Sequence, residues 1–481
     1  MGGWRLLLGP CDGSGAERVE EDDRYGRGRA WEDMMRACRS GNVHTVLSLL
    51  ERAAVRRRLN ERDVRGRTAL MVAARHGHAQ VCRCLLTFAA NGVRVNARNS
   101  LRDAPDAGMT ALMYAARRGH VETVDALLEA HAKVNVAKHN GATALMFAAQ
   151  CGSAPVVQRL LQHGGSDVNA RSRDGWTALL VASLAGDATV THLLLQAGAD
   201  VNATRPDGVC AVHLAAMCGH IDLLRLLLRH GADVQRRQER GATPLMLAAQ
   251  AGHTEACQLL IDAGAAPDEC ADDGATPLMA AALQGYLHTC AALCKAGAKV
   301  DASASDGETA LFAAVLRNRV DVVRFLVEFG AKLEAVNGRG HTPLMWAAWY
   351  GQATALEALL QAGADGSAAD PQGNTALHWA ARAGHQPCVE LLLNHCSSVG
   401  ECSALLQRRN AHGQTAVEVG CACHHPECVS TLLLYASKAG VRGDNESLAA
   451  AEAIELKWAG ALPMTAVAVE LPMPPVDAPA M

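Results

Sequence analysis

The chain has 481 residues, 20% of them charged, and a formal net charge of -4 at pH 7. Apolar residues make up 49% but aromatics only 4%, so Ala, Leu and Val carry the apolar content, which suits thin layers of short, close-packed helices. Leu6 to Leu8 is too short an apolar run for a secretory signal and no stretch approaches a membrane span, so a reducing interior, cytoplasmic and also nuclear, is expected for the seventeen cysteines.

Residues 1–30 mix Gly, Arg and an acidic run from Glu20 to Asp23 with no apolar period, and a disordered tail is expected there. From Trp31 a degenerate unit begins, with Ala37-Cys38, Gly41 and then Val46, Leu49 and Leu50. It reads as a cap, because a terminal unit must expose a polar outer face.

The box Thr-Pro-Leu-Met-Trp-Ala-Ala-Trp-Tyr-Gly at Thr342 to Gly351 recurs, with changes, from Thr68, Thr110, Thr143, Thr177, Cys210, Thr243, Thr276, Thr309, Thr375 and Thr415. Most anchors are 33 residues apart, the mark of a repeat architecture in which each unit stacks on its neighbours. In each unit Thr is an N-cap candidate, and Pro244, Pro277 and Pro343 stand at the first helical position, which tolerates Pro. Leu145, Ala148 and Ala149 share one helix face, and a Gly such as Gly152 ends the helix in a left-handed cap. A second helix follows, as at Ile221 to Arg229, then Gly-Ala-Asp-Val-Asn, as at Gly198 to Asn202, and a Gly turn such as Arg173-Asp174-Gly175. Cys82, Cys257 and Cys290 occupy the slot of Val124 and read as small buried hydrophobes.

Two gaps break the period. Extra residues fall near 89–106 and 396–404, and both are expected to be surface loops with a bearing on contacts. The box at Thr415, with His424 where Gly is usual, reads as the C-terminal cap. Residues 439–481 suggest one covering helix, Glu446 to Trp458, and an Ala/Pro-rich disordered end.

These motifs resemble the ankyrin-repeat family over Trp31 to Lys438, through Thr243-Pro244-Leu245, Ala248-Ala249, Gly252-His253 and Gly231-Ala232-Asp233-Val234. The resemblance implies an all-α solenoid of helix-turn-helix units with short hairpin-like loops, about twelve repeats long. The family's His three residues after Thr remains as His213 and His378, but Met71, Met113, Met146, Met246, Met279 and Met345 replace it, so its hydrogen-bonded bracing is expected to be lost there.

The resemblance also implies a function: a non-catalytic scaffold or adaptor binding a protein or peptide on a concave face. In the family that face is lined by the two residues after Ala-Ala and the residue before Thr. Carried onto this chain, the contact residues are Arg75, His76, Arg117, Arg118, Trp176, Leu184, Met217, Leu283, Leu316, Trp349, Tyr350 and Arg382, with Arg67, Met109 and His341 also preceding Thr. A basic end, an apolar middle and an aromatic site result, and Trp, Tyr and Arg are common interface hot spots.

Two other functions are weighed. Sixteen Arg against five acidic residues lie between Arg36 and Arg118, a patch for nucleic acid or an acidic partner, but the chain is acidic overall and no stacking aromatics interleave with the patch. Leu471-Pro472-Met473-Pro474 faintly matches the end of a ligase-docking box, which would make the chain a substrate adaptor of a ubiquitin ligase. No cofactor is expected, no catalytic constellation stands out, and a monomer is expected. The cluster Cys421, Cys423, His424, His425 and Cys428 has ligand types that zinc prefers, but the repeat frame accounts for its members.

Overall fold

The computed structural model describes residues 29–88, 92–101, 105–163 and 165–439, and every regular element among them is a helix. A single antiparallel bridge, Ala369 to Thr375, is the only β feature among these residues. The expected tails, the covering helix at Glu446 to Trp458, Leu471 to Pro474 and part of the first insertion lie outside the described residues. Arg29 and Ala30 already belong to the first helix, Arg29–Ser40. The chain divides into two compact units, residues 1–244 with 262–264, and residues 245–261 with 265–481.

Within each unit the helices form antiparallel pairs, such as Ala144–Gln150 with Ala154–Gln162 and Pro343–Trp349 with Ala353–Gln361. First helices stack on first helices of the next pair and second on second. The Ala-Ala pairs permit that approach: Ala115, Ala116, Ala148, Ala149, Ala347 and Ala348 are all fully buried.

The Thr N-caps form as the sequence suggests. The hydroxyls of Thr68, Thr110, Thr177, Thr276 and Thr342 accept from the backbone N–H three residues on, at 3.2 to 3.4 Å. The Met for His exchange costs less than expected within the box. Sulfur of Met71, Met113 and Met279 lies 3.5 Å from the N–H of its own Thr, the proton that His378 Nδ1 accepts from Thr375 N at 3.2 Å. A thioether is a weak acceptor, so the bracing is weakened and not abolished. What Met cannot supply is the second bond of His378, whose Nε2 donates to Gln414 O of the next repeat at 3.2 Å.

First helices end on a left-handed residue. Usually it is Gly, as at Gly77, Gly351 and Gly384, but Asn318 (φ 53) and His424 (φ 60) hold the same position, and His131 (φ 58) holds the equivalent one after a second helix. Gly is also needed for space. A Cβ on Gly351 would meet His385 Nδ1 at 2.6 Å, and one on Gly384 would meet His425 Nδ1 at 2.6 Å.

Loops repeat a tight hairpin. Asn337 N donates to His341 O at 3.1 Å and Gly340 N to Asn337 O at 2.8 Å, and Asp370 to Asn374 is built the same way. On the far side an amide ladder joins successive repeats in the first unit: Asn169 Nδ2 donates to Gly198 O at 3.1 Å while its Oδ1 accepts from Asp200 N at 2.8 Å. In the second unit Asp268, Asp301 and Glu334 hold that place and supply only the acceptor half, to Lys299 N, Lys332 N and Asp365 N.

The insertion at 396–404 is not a loop. It lengthens the helix Gln386–Val399 and adds the helix Cys402–Gln407, which buries Leu405 and Leu406. The helix Cys402–Gln407 packs against Gln386–Val399 and Pro426–Lys438, and Cys396, Cys402, Leu405 and Leu406 are buried.

Candidate interaction surface

The residues after each Ala-Ala pair form the last turn of a first helix, where carbonyls lack intrahelical partners. The next repeat supplies them. His120 Nε2 donates to Arg75 O at 3.2 Å, Gln352 Nε2 to Leu316 O at 3.0 Å, His385 Nε2 to Trp349 O at 3.1 Å and His425 Nε2 to Arg382 O at 3.1 Å. These bonds fix the backbone under the side chains that the family resemblance singled out.

In the first unit Arg118 is exposed, and His76, Arg75, Arg117, Leu184 and Met217 are half-buried. Arg75 Nη1 stands 4.0 Å from Asp106, a carboxylate that also accepts from Tyr114 OH. Trp176 departs from the expected contact role: it is only 7% exposed, with the Arg205 guanidinium 4.6 Å from its ring centroid. That cation comes from the next repeat, so the face Trp176 would offer is already covered. Residues before Thr also turn inward. Arg67 is 1% exposed and paired with Asp63 at 2.9 Å, and Met109 is fully buried.

In the second unit Leu283, Leu316, Trp349 and Arg382 are half-buried, while Tyr350 is 43% exposed. Trp349 and Tyr350 do not stand alone. Tyr350 meets Trp346 edge-on at 5.1 Å, Trp346 meets Phe312 at 6.1 Å, and Trp349 meets Trp379 edge-on at 5.1 Å. His341 lies between, 4.9 Å from Trp379 and 5.9 Å from Trp346. Edge-to-face contacts of this kind hold rings in fixed attitudes.

Asp370 anchors the cluster from below. Its Oδ1 accepts from Gln372 N at 2.9 Å and Asn374 N at 2.8 Å, closing the hairpin turn, and its Oδ2 accepts from Trp379 Nε1 at 3.1 Å. Reading the repeats did not single out Asp370 or Trp379. The available signal was an Asp opening a Gly turn with a Trp nine residues on, at a box position that is also aromatic in Tyr114, Phe147 and Trp346.

Charge is graded around the rings. Glu308, at the rim, is pushed up to about 7, first by burial and then by Asp306, with Arg339 pulling the other way. Burial also raises the Tyr350 phenol, with Glu308 adding to it, and lowers His341 despite the attraction of Asp370. Opposite lies Arg382, its guanidinium 5.6 Å from the Trp379 centroid, beside a depression of about 300 Å³.

The Cys/His cluster is dispersed by the fold. Cys421 packs against Val429, Val417 and Leu433, and Cys428 is fully buried, its thiol pushed up to about 11 by burial. His425 is committed to Arg382 O. No group of three His, Cys, Asp or Glu among the described residues is arranged to hold a metal ion. No helix among them is long and apolar enough to cross a membrane.

The family model for ankyrin repeats (three copies) matches residues 34–138, 132–205, 212–304, 299–370 and 363–442. These matches cover well over half of the chain, which therefore belongs to the ankyrin-repeat family, an all-α repeat solenoid. No curated protein matches the chain.

Proposed function

We propose that the chain is a non-catalytic scaffold or adaptor that holds a partner protein or an extended peptide across the ends of its first helices, in the cytoplasm and as a monomer. The observation that carries this reading is the aromatic cluster of the second unit, where half-buried Trp349 and exposed Tyr350 sit on rings locked by Trp346, Trp379 and Asp370. A rigid aromatic surface offers contact area with little ordering cost on binding. Backbone groups of the loops beneath the rings are tied into hairpins, as in Asp370 to Asn374, so recognition on this face falls to the side chains.

The test compares affinity purifications of the wild-type chain and of Tyr350→Ala, read by quantitative mass spectrometry. Tyr350 is the better probe because Trp349→Ala also removes packing against Trp379. Partners depleted severalfold at unchanged helical content are expected, and an identical partner set would refute the reading.

The Arg-rich start supports a second reading, an acidic partner or nucleic acid, through the exposed Arg52, Arg56, Arg57 and Arg62. Arg58 and Arg67 are already tied to Glu61 and Asp63, which weakens it. A gel-shift titration against salt separates the two, since only the second requires a steep loss of binding with salt.

A further inference from the structure

We propose that the depression beside Trp379 is a carboxylate-binding subsite, which receives an Asp or Glu side chain of the bound partner on the guanidinium of Arg382. This rests on the reading that the aromatic face of the second unit binds a peptide or protein, and it assigns that partner one chemical feature.

Three observations converge. First, Arg382 is half-buried and makes no ion pair among the described residues. Its guanidinium lies 5.6 Å from the Trp379 centroid, and that indole is pinned by Asp370 Oδ2 at 3.1 Å, by Trp349 at 5.1 Å and by His341 at 4.9 Å. The cation therefore rests on a fixed platform. The backbone beneath it is fixed as well, by His425.

Second, the local carboxylates are engaged elsewhere. Asp370 is saturated by two backbone N–H groups, Asn374 Nδ2 at 3.2 Å and the Trp379 indole, and Glu418 pairs with Arg409 at 3.2 Å. Neither forms an ion pair with Arg382.

Third, the side chains of Gln372, His412 and Gln414 line the same depression and make no hydrogen bond among the described residues. With the guanidinium they border one depression with groups able to donate, while Val419 and Ala422 supply an apolar wall for side-chain methylenes. The volume, about 300 Å³, suits one side chain with its peptide unit. A planar carboxylate matches the Arg fork in two parallel N–H bonds, and such charge-assisted bonds are the strong ones.

The test uses the full chain and phage-displayed random dodecapeptides, with each selected Asp or Glu then changed to Asn or Gln. The selected peptides are expected to carry an acid whose amide copy binds wild type about tenfold more weakly, yet binds Arg382→Gln as well as the parent peptide does. Circular dichroism and a thermal melt establish that Arg382→Gln is folded, and Arg382→Lys is expected to recover part of the discrimination. If the acid-to-amide penalty persists in Arg382→Gln, or no acid is selected among peptides that still require Tyr350, the subsite is refuted while the aromatic face stands. If no peptide is selected at all, both readings fall.

Discussion

His378 Nε2 stands 3.2 Å from the carbonyl oxygen of Gln414 in the following repeat, while its Nδ1 accepts the Thr375 N–H. The imidazole thus serves two repeats at once, and only as a neutral ring with its proton on Nε2.

Acid should disturb that arrangement. Burial lowers the pKa of His378, and it lowers His213, in the same position of its repeat, to about 4 from 6.5. The unfolded chain therefore binds more protons in that window. The contribution is complete above about pH 6.5 and is lost as pH falls toward 4, up to about 3 kcal/mol for His213. His213→Met, the residue six other repeats use, is expected to flatten the melting temperature between pH 6.5 and pH 4. Thermal melts followed by circular dichroism check it, and an unchanged slope would contradict it.

Glu308 should act with the opposite sign. Its carboxyl, raised from 4.5 to about 7, holds a proton longer in the folded chain, so it favours folding at low pH and that favour is lost as pH rises through 7. Partial exposure discounts the effect to about 1 kcal/mol. Glu308→Gln is expected to raise stability at pH 8 by about that amount and to change nothing at pH 4, in urea titrations at the two pH values.

Asp370→Asn tests the anchor under the rings. Asn keeps an acceptor for the two backbone N–H groups, as Asn337 and Asn410 do in their own turns. It replaces Oδ2 with a donor facing the Trp379 indole N–H and Asn374 Nδ2. A loss of about 2 kcal/mol is expected in chemical denaturation, with a shifted tryptophan emission before unfolding. Equal stability would mean that the indole bond contributes nothing.

The left-handed residues should divide by what their side chains do. His131 is exposed at φ 58, and His131→Gly is expected to stabilise by about 0.5 kcal/mol through relief of strain. Asn318 has the same backbone need, but its Oδ1 accepts from Thr354 Oγ1 at 2.8 Å and Ala355 N at 3.0 Å, capping the second helix of the following repeat, Ala353–Gln361. Asn318→Gly is expected to destabilise by about 1 kcal/mol. Parallel melts of the two variants decide it.

The fold was legible because it is written locally. The Thr cap, the Pro at the first helical position and the left-handed Gly each answer a need met within ten residues, so the helix pairs could be read off one repeat. What escaped reading depends on neighbours a repeat away. Arg205 covers Trp176 from about thirty residues downstream, and no periodicity reveals it. Asp370 looks like any turn residue until Trp379 is seen to reach it. The segment at 396–404 broke the period and so suggested a loop, but Leu405 and Leu406 found apolar surface and folded as a helix.

The fit of His385 under Gly351, and of His425 under Gly384, sets where this chain can be cut and recombined. A transplanted repeat that brings its Gly but meets a small residue gains a void, and one that brings Ala collides with the imidazole. The Gly and the imidazole that fills the space beside it stand in successive repeats, so a junction between them parts a matched pair unless both parents carry the two residues. Chimeras whose parents share the Gly and the His across the junction should outlast those in which one of the two differs.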